Sequence, residues 1–152
     1  MGFKKDLEFG RSGEKIVCDA LMELGLEPVL NDQPRKLFYD ISFEWKNQII
    51  TGEVKYDAYF AKSGNLAFEI SNPKTGKPSG LYKTTADLWF HVVPGDVIYW
   101  ANTNVLRIFT EAIKPDKHVK KGGDGNAELK LYKLENAKKV LVEWDMFKEF
   151  LK

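Results

Sequence analysis

The chain is poor in the residues that bind soft metals or staple small folds: its 152 residues include one cysteine, Cys18, and two histidines, His91 and His118. A lone cysteine excludes an intramolecular disulfide and a cysteine-rich zinc site, and it fits a reducing compartment such as the cytoplasm. Cys18 reads as a small buried residue on a helix. His91 falls inside the apolar run LWFHVV, where a packed core histidine is expected. His118 stands in a basic stretch with no partner at ligand spacing, so a histidine-based metal site has no support. No apolar run approaches the roughly 20 residues of a membrane span, and MGFKKDLEFGRSGEK has no apolar stretch of the signal-peptide type. Neither sign of charge dominates: 23 Lys and Arg against 22 Asp and Glu leave a net +1. That excludes a uniformly basic nucleic-acid binder, and any electropositive groove must come from local clustering.

What is present is ordinary for a globular protein, with 43% hydrophobic and 30% charged residues. No repeat, long linker or low-complexity tract divides the chain, so one domain over 1–152 is expected. Its core would span about 10–113, followed by a C-terminal loop, strand and helix over 114–152. The fold class expected is α/β, with a central mixed sheet flanked by helices.

The most informative stretch is LFYDISFEWKNQIITGEVKY, residues 37–56. Tyr39, Ile41, Phe43 and Trp45 alternate with Phe38, Asp40, Ser42 and Glu44, which predicts a strand over 37–45. Ile50, Val54 and Tyr56 alternate with Thr51, Glu53 and Lys55, which predicts a second strand over 49–56. A two-residue turn at Lys46-Asn47 would pair Trp45 with Gln48, Phe43 with Ile50, and Asp40 with Glu53. Two carboxylates would then stand roughly 5 Å apart between Cβ atoms. Like charges opposed across strands are destabilising, and a divalent cation would offset the repulsion.

Other segments add to this pair. Ser12 is read as the N-cap of a helix over 13–24 closed by Gly25, with Ile16, Val17, Ala20, Leu21 and Leu24 as its apolar stripe. Glu14, beside that stripe, is either a half-exposed first-turn acid or a third carboxylate reaching the metal. A connection over 27–36 carries Pro28, Asn31, Asp32 and Pro34. Residues 65–71 read as a third strand adjoining the hairpin, with Glu69 as solvent-facing or as support for metal or water. Residues 71–80 read as a Pro-, Gly- and Lys-rich loop, 81–87 as one or two helical turns, and 88–93 and 97–101 as strands. Lys83, Thr84 and Thr85 are candidate phosphate contacts, whereas Lys74 and Lys77 read more readily as a solvated basic loop than as phosphate contacts. Asn102 or Thr103 would cap a helix ending near Ile113. Residues 114–126 read as a flexible loop whose lysines 114, 117, 120 and 121 are either merely solvated or track a phosphate backbone. Residues 129–134 read as an edge strand, and 140–152 as an amphipathic helix.

Phosphodiester hydrolysis requires an activated water and charge neutralisation on the phosphate. Converging carboxylates hold Mg²⁺ by one or two bonds and leave water in its shell. Asp40 and Glu53 supply these donors, the Val54 carbonyl offers another, and Lys55 would orient or deprotonate the water, or stabilise developing charge. Gly52 is expected to leave the backbone open to an ion or phosphate.

Asp40 followed by Glu53-Val54-Lys55 resembles the core of the PD-(D/E)XK nuclease superfamily, over roughly residues 10–100. The resemblance implies a restriction-endonuclease-like core in the order α-β-β-β-α-β, a Mg²⁺ cofactor that Mn²⁺ would replace, and DNA as substrate. It implies Asp40 and Glu53 as metal ligands, Lys55 as the catalytic lysine, and Glu14 as the first-helix acid found in Holliday-junction-resolvase-like members. Tyr39 stands where the motif's name has proline. The small size and SGLYKTTADLW are similar to phage-type members, for which the location would be the host cytoplasm. A metal-dependent DNA endonuclease is therefore expected, against a non-catalytic nucleic-acid-binding module on the same fold. A hydrolase of other phosphorylated substrates would want a phosphate-cradling glycine motif, which is absent. Symmetric cutting of two strands needs two active centres, which a homodimer would supply, though no residue marks an interface.

Overall fold

A computed structural model describes residues 2–33, 36–122 and 125–152, with side chains from residue 12 onward. Pro34 of the expected connection, and Gly123 and Asp124 of the expected loop, lie outside the described residues. In chain order the elements are α1 (Gly2–Glu23), β1 (Val29–Leu30), β2 (Ile41–Trp45), β3 (Gln48–Tyr56), α2 (Phe60–Ser63), β4 (Asn65–Asn72) and β5 (Lys77–Pro78). Then come β6 (Leu88–Val93), β7 (Val97–Asn102), α3 (Thr103–Ala112), β8 (Lys117–Gly122), β9 (Ala127–Lys133), α4 (Leu134–Ala137), β10 (Val142–Glu143) and α5 (Phe147–Phe150). Single 3₁₀ turns occupy Gly80–Tyr82 and Trp144–Met146.

The central sheet is mixed and six-stranded, in the order β1-β2-β3-β6-β7-β10, with β3 and β6 parallel and its other pairs antiparallel. Helix α1 and the C-terminal segment cover one face. Val17 and Leu21 there meet Ile41, Phe43, Phe90, Trp100 and Phe147. A second, antiparallel sheet, β5-β4-β9-β8, covers the other face together with α3. Leu66, Phe68 and Tyr132 from that sheet, and Leu106 and Phe109 from α3, close on Trp89, Val93 and Tyr99.

The hairpin has the expected register, with Trp45 opposite Gln48 and Phe43 opposite Ile50. Lys46 and Asn47 both take positive φ, 49° and 64°. That is the backbone of a two-residue turn whose twist matches the strands. Strand β2, however, starts only at Ile41. Residues 37–40 are held as a loop by the Asn31 side-chain amide, which donates to Leu37 O at 2.8 Å and Tyr39 O at 2.7 Å.

Several expectations are corrected. Helix α1 runs through Ser12, which is therefore no N-cap, although Gly25 ends the helix with φ 85° as expected. Gly13 lies inside the helix. A Cβ there would stand 3.2 Å from Tyr56 Cβ, so it marks where helix and sheet press together. The linear order of helix, three strands, helical turn and strand is met, but the third strand, β4, lies in the second sheet, and the central neighbour of β3 is β6. Strand β5 pairs back on β4 inside the expected 71–80 loop. The expected 114–126 loop contains β8, and β9 lies inside its sheet between β4 and β8, not at an edge. The C-terminal helix is broken into β10, a 3₁₀ turn and the short α5. Asn102 caps α3 as expected, its side chain accepting from the Asn104 and Val105 amides.

Candidate active site

Alternation along β3 sorts its residues between the two faces. Val54 and Tyr56 join the α1-side core, so Glu53 and Lys55 project to the other face, opposite Trp89 and His91 of β6. Asp40 sits just beyond the end of β2, its amide donating to Gly52 O at 2.9 Å. One carboxylate oxygen, Oδ2, accepts the Val54 amide at 2.8 Å. Asp40 thus satisfies the strand group that β2 is too short to reach. Because a strand residue's N–H and C=O point to the same edge, the Val54 carbonyl also faces this end of the sheet.

The segment after the Gly80 turn roofs the pair. A cavity of about 170 Å³ is lined by Phe38, Tyr39, Asp40, Glu53, Gly80, Lys83 and Thr84. Glu53 Oε2 lies 3.0 Å from Thr84 Oγ1. That hydroxyl also lies 2.8 Å from Phe38 O and accepts the Ala86 amide at 3.1 Å. With one proton it cannot donate to both acceptors. With Glu53 neutral, it donates to the carbonyl and accepts from the acid; with Glu53 ionised, it turns to the carboxylate.

Electrostatics favour the neutral form. Burial, then the charge of Asp40, and more weakly that of Glu14, push Glu53 up to about 8 against the opposing bond from Thr84. Burial also raises Asp40, opposed by the Val54 amide. The two acids share one cavity, and among the described residues no cation lowers either of them.

The expected site residues fall into place unevenly. Asp40 and Glu53 line one cavity, and the Val54 carbonyl lies on the strand edge whose amide meets Asp40. Glu14 projects from the helix on the other face of β3, yet its charge reaches Glu53. Lys55 is exposed two residues along the same face, and its charge helps hold Asp57 below the usual range. Glu69, on the second sheet, does not adjoin the hairpin. It reaches the rim only through Gly80, where a Cβ would lie 2.8 Å from Glu69 Cβ. Lys83 and Thr85 are exposed, but Thr84 is 5% exposed and its hydroxyl is spent inside, so it does not contact phosphate. Gly52 does not open the backbone to a ligand: a Cβ there would stand 2.6 Å from the Phe90 ring, which fills that space.

Sequence reasoning missed two polar residues. Arg107, apart from Arg11 and Arg35 the only arginine, reaches from α3 behind the roof. It donates to Leu81 O at 2.8 Å, to Asn104 Oδ1 at 2.9 Å and to Thr84 O, pinning the segment that carries Thr84. Asp57, just after β3, is buried. Its Oδ2 accepts the Ala67 amide of β4 and lies against His91 Nε2, both at 2.9 Å. Trp89 Nε1–H donates to His91 Nδ1 at 3.1 Å, which places the proton of the neutral ring on Nε2, facing Asp57. His91 is thus the packed core histidine expected, and Asp57 rivets the two sheets. His118 bonds Glu128 at 2.7 Å on the second sheet.

The donor set suits a hard cation. Among the described residues, no group of three His, Cys, Asp or Glu side chains is gathered closely enough to cage an ion. Two carboxylates and a carbonyl match Mg²⁺, which keeps several waters and takes one or two carboxylates. Among the described residues no helix is long and apolar enough to cross a membrane.

No family model and no curated protein sequence matches the chain. Among solved structures, a bacterial homing endonuclease aligns at TM-score 0.49 and 16% identity, over 64% of this chain and 65% of that one. The chain therefore spans just under two thirds of that endonuclease, and the two are similar in part of their chain path.

Proposed function

We propose that the chain is a Mg²⁺-dependent deoxyribonuclease of the PD-(D/E)XK type, hydrolysing phosphodiester bonds at Asp40, Glu53 and Lys55. The observation that carries this reading is Glu53. Its carboxyl is raised to about 8 by burial and by a second acid in a cavity reached by exposed Lys83, so its ionised form is disfavoured until a cation offsets it. Asp40 and Glu53 would hold the ion, with the Val54 carbonyl as a further donor. When bound, the ion supplies Lewis acidity at the phosphoryl oxygen and at water. Thr84 fixes the Glu53 rotamer, and its hydroxyl turns to the carboxylate once Glu53 ionises. Lys55 would neutralise charge developing on the phosphate or take a proton from the attacking water. Glu14 deepens the negative potential, Glu69 supports the roof from outside, and Lys83 and Thr85 would hold flanking phosphates.

Supercoiled, linear, single-stranded and four-way-junction DNA, each incubated with Mg²⁺, Mn²⁺ or EDTA, test this reading. Cleavage is expected with metal, none in EDTA, and none by a folded Lys55→Ala variant. The junction substrate decides whether the activity is resolvase-like. A second reading, a nucleic-acid-binding module without turnover, draws on the lack of a three-ligand cluster among the described residues. Failure to cut any of the four DNAs would favour it.

A further inference from the structure

Two large apolar side chains stand in solvent beside this acidic cavity, Leu37 at 43% and Phe38 at 39% exposure. They are not on a slack loop. Phe38 O accepts the Thr85 amide at 2.8 Å and lies 2.8 Å from the Thr84 hydroxyl, while the Asn31 amide clamps the carbonyls on either side. The Phe38 ring lines the same cavity as Asp40 and Glu53. The Lys83 ammonium stands over one face of that ring, 5.0 Å from its centroid, so it must swing aside to the phosphate before a base can stack on that face. An aromatic ring, a cation resting on it and an acid pair thus share one opening, and the backbone that carries the ring is held in place before any ligand arrives.

We infer that Phe38 is a stacking platform for an unpaired nucleobase next to the scissile phosphate, with Lys83 on the adjoining phosphate, so that the site takes single-stranded or locally unpaired DNA. This rests on the nuclease reading and names its substrate class. A phosphate at Asp40 and Glu53 would enter the cavity that Phe38 also lines, which would bring a base of the same strand against that ring. In a duplex both faces of that base are covered by its neighbours, whereas an unpaired base offers a free π-face, and every base has one. The same stacking gives no sequence preference, because it reads no hydrogen-bonding edge.

The test uses a short fluorescein-labelled oligodeoxynucleotide, single-stranded and as its blunt duplex, with Ca²⁺ replacing Mg²⁺ so that binding is read without turnover. Wild type should bind the single strand about tenfold or more tighter than the duplex. Phe38→Ala should weaken single-strand binding about tenfold and leave the duplex unchanged. Phe38→Trp should restore it, and Phe38→Leu, which keeps apolar bulk without a π-face, should not. Equal affinity of wild type for the two forms, equal losses on both in Phe38→Ala, or no binding of either overturns the inference. Cleavage by wild type in Mg²⁺ is scored separately. Cutting without a Phe38 effect removes only the platform, whereas selective binding with no cutting removes only the nuclease reading.

Discussion

Replacing Glu53 by glutamine should stabilise the metal-free protein, and only above mildly acidic pH. Glu53 has a folded pKa of about 8 against an unfolded value of about 4.3. Below both values the group is protonated in either state and costs nothing. As pH rises past the unfolded value, the unfolded chain ionises and the folded one does not, so stability falls until pH reaches the folded value. One pKa unit corresponds to about 1.4 kcal/mol, so the cost at pH 7 is on the order of 3 kcal/mol. Glutamine keeps the shape and can still bond Thr84, but it does not titrate. Part of the gain is lost to imperfect pairing of the new amide. Urea unfolding in EDTA should therefore show Glu53→Gln about 1–3 kcal/mol more stable than wild type at pH 7–8, and equal to it near pH 4. In a melt this is a rise of several degrees, at about 2–4 °C per kcal/mol for a domain of this size. A variant less stable than wild type at pH 8, or a difference independent of pH, would refute the reasoning.

Three further outcomes follow from packing and polar satisfaction. Asp57→Ala would orphan His91 Nε2 and the Ala67 amide between the sheets, and should cost about 3–5 kcal/mol in urea unfolding. Burial raises Asp57, but the bonds from His91 and Ala67 and the Lys55 charge outweigh it and leave it lowered. Its contribution is therefore present above the unfolded value of about 3.9 and lost as pH falls through the lower folded one, so the gap between wild type and variant should shrink in strong acid. Gly52→Ala would drive a methyl into the Phe90 ring and should cost about 1–3 kcal/mol by the same assay. Arg107→Ala should lower cleavage by roughly 10–100-fold by freeing the Thr84 segment. If Arg107 acts through Thr84, it should cost little more in a Thr84→Val background, and full additivity would contradict that route.

The hairpin was legible from the sequence because three local signals agree there: period-two alternation, a two-residue turn, and apolar residues that coincide only in one register. Asp40 and Glu53 followed from that register alone. The second sheet was not legible, because β4 pairs with β9 across about sixty residues of chain and β8 is an exposed lysine-rich edge without apolar alternation. The roles of Asp57 and Arg107 depend on partners from other elements, and no local pattern distinguishes them from solvated charges. Gly52 was misread for a related reason, since its cause, the Phe90 ring, lies on another element.

The central claim, that the acid pair is built to receive a divalent cation, is tested most directly by titrating the metal-free protein with Mn²⁺ in a calorimeter at pH 7, in buffers of different ionisation enthalpy. Binding that releases close to one proton, from Glu53, and that is lost in Glu53→Gln, is the expected result. No binding by wild type, or equal binding without proton release in the variant, would contradict it.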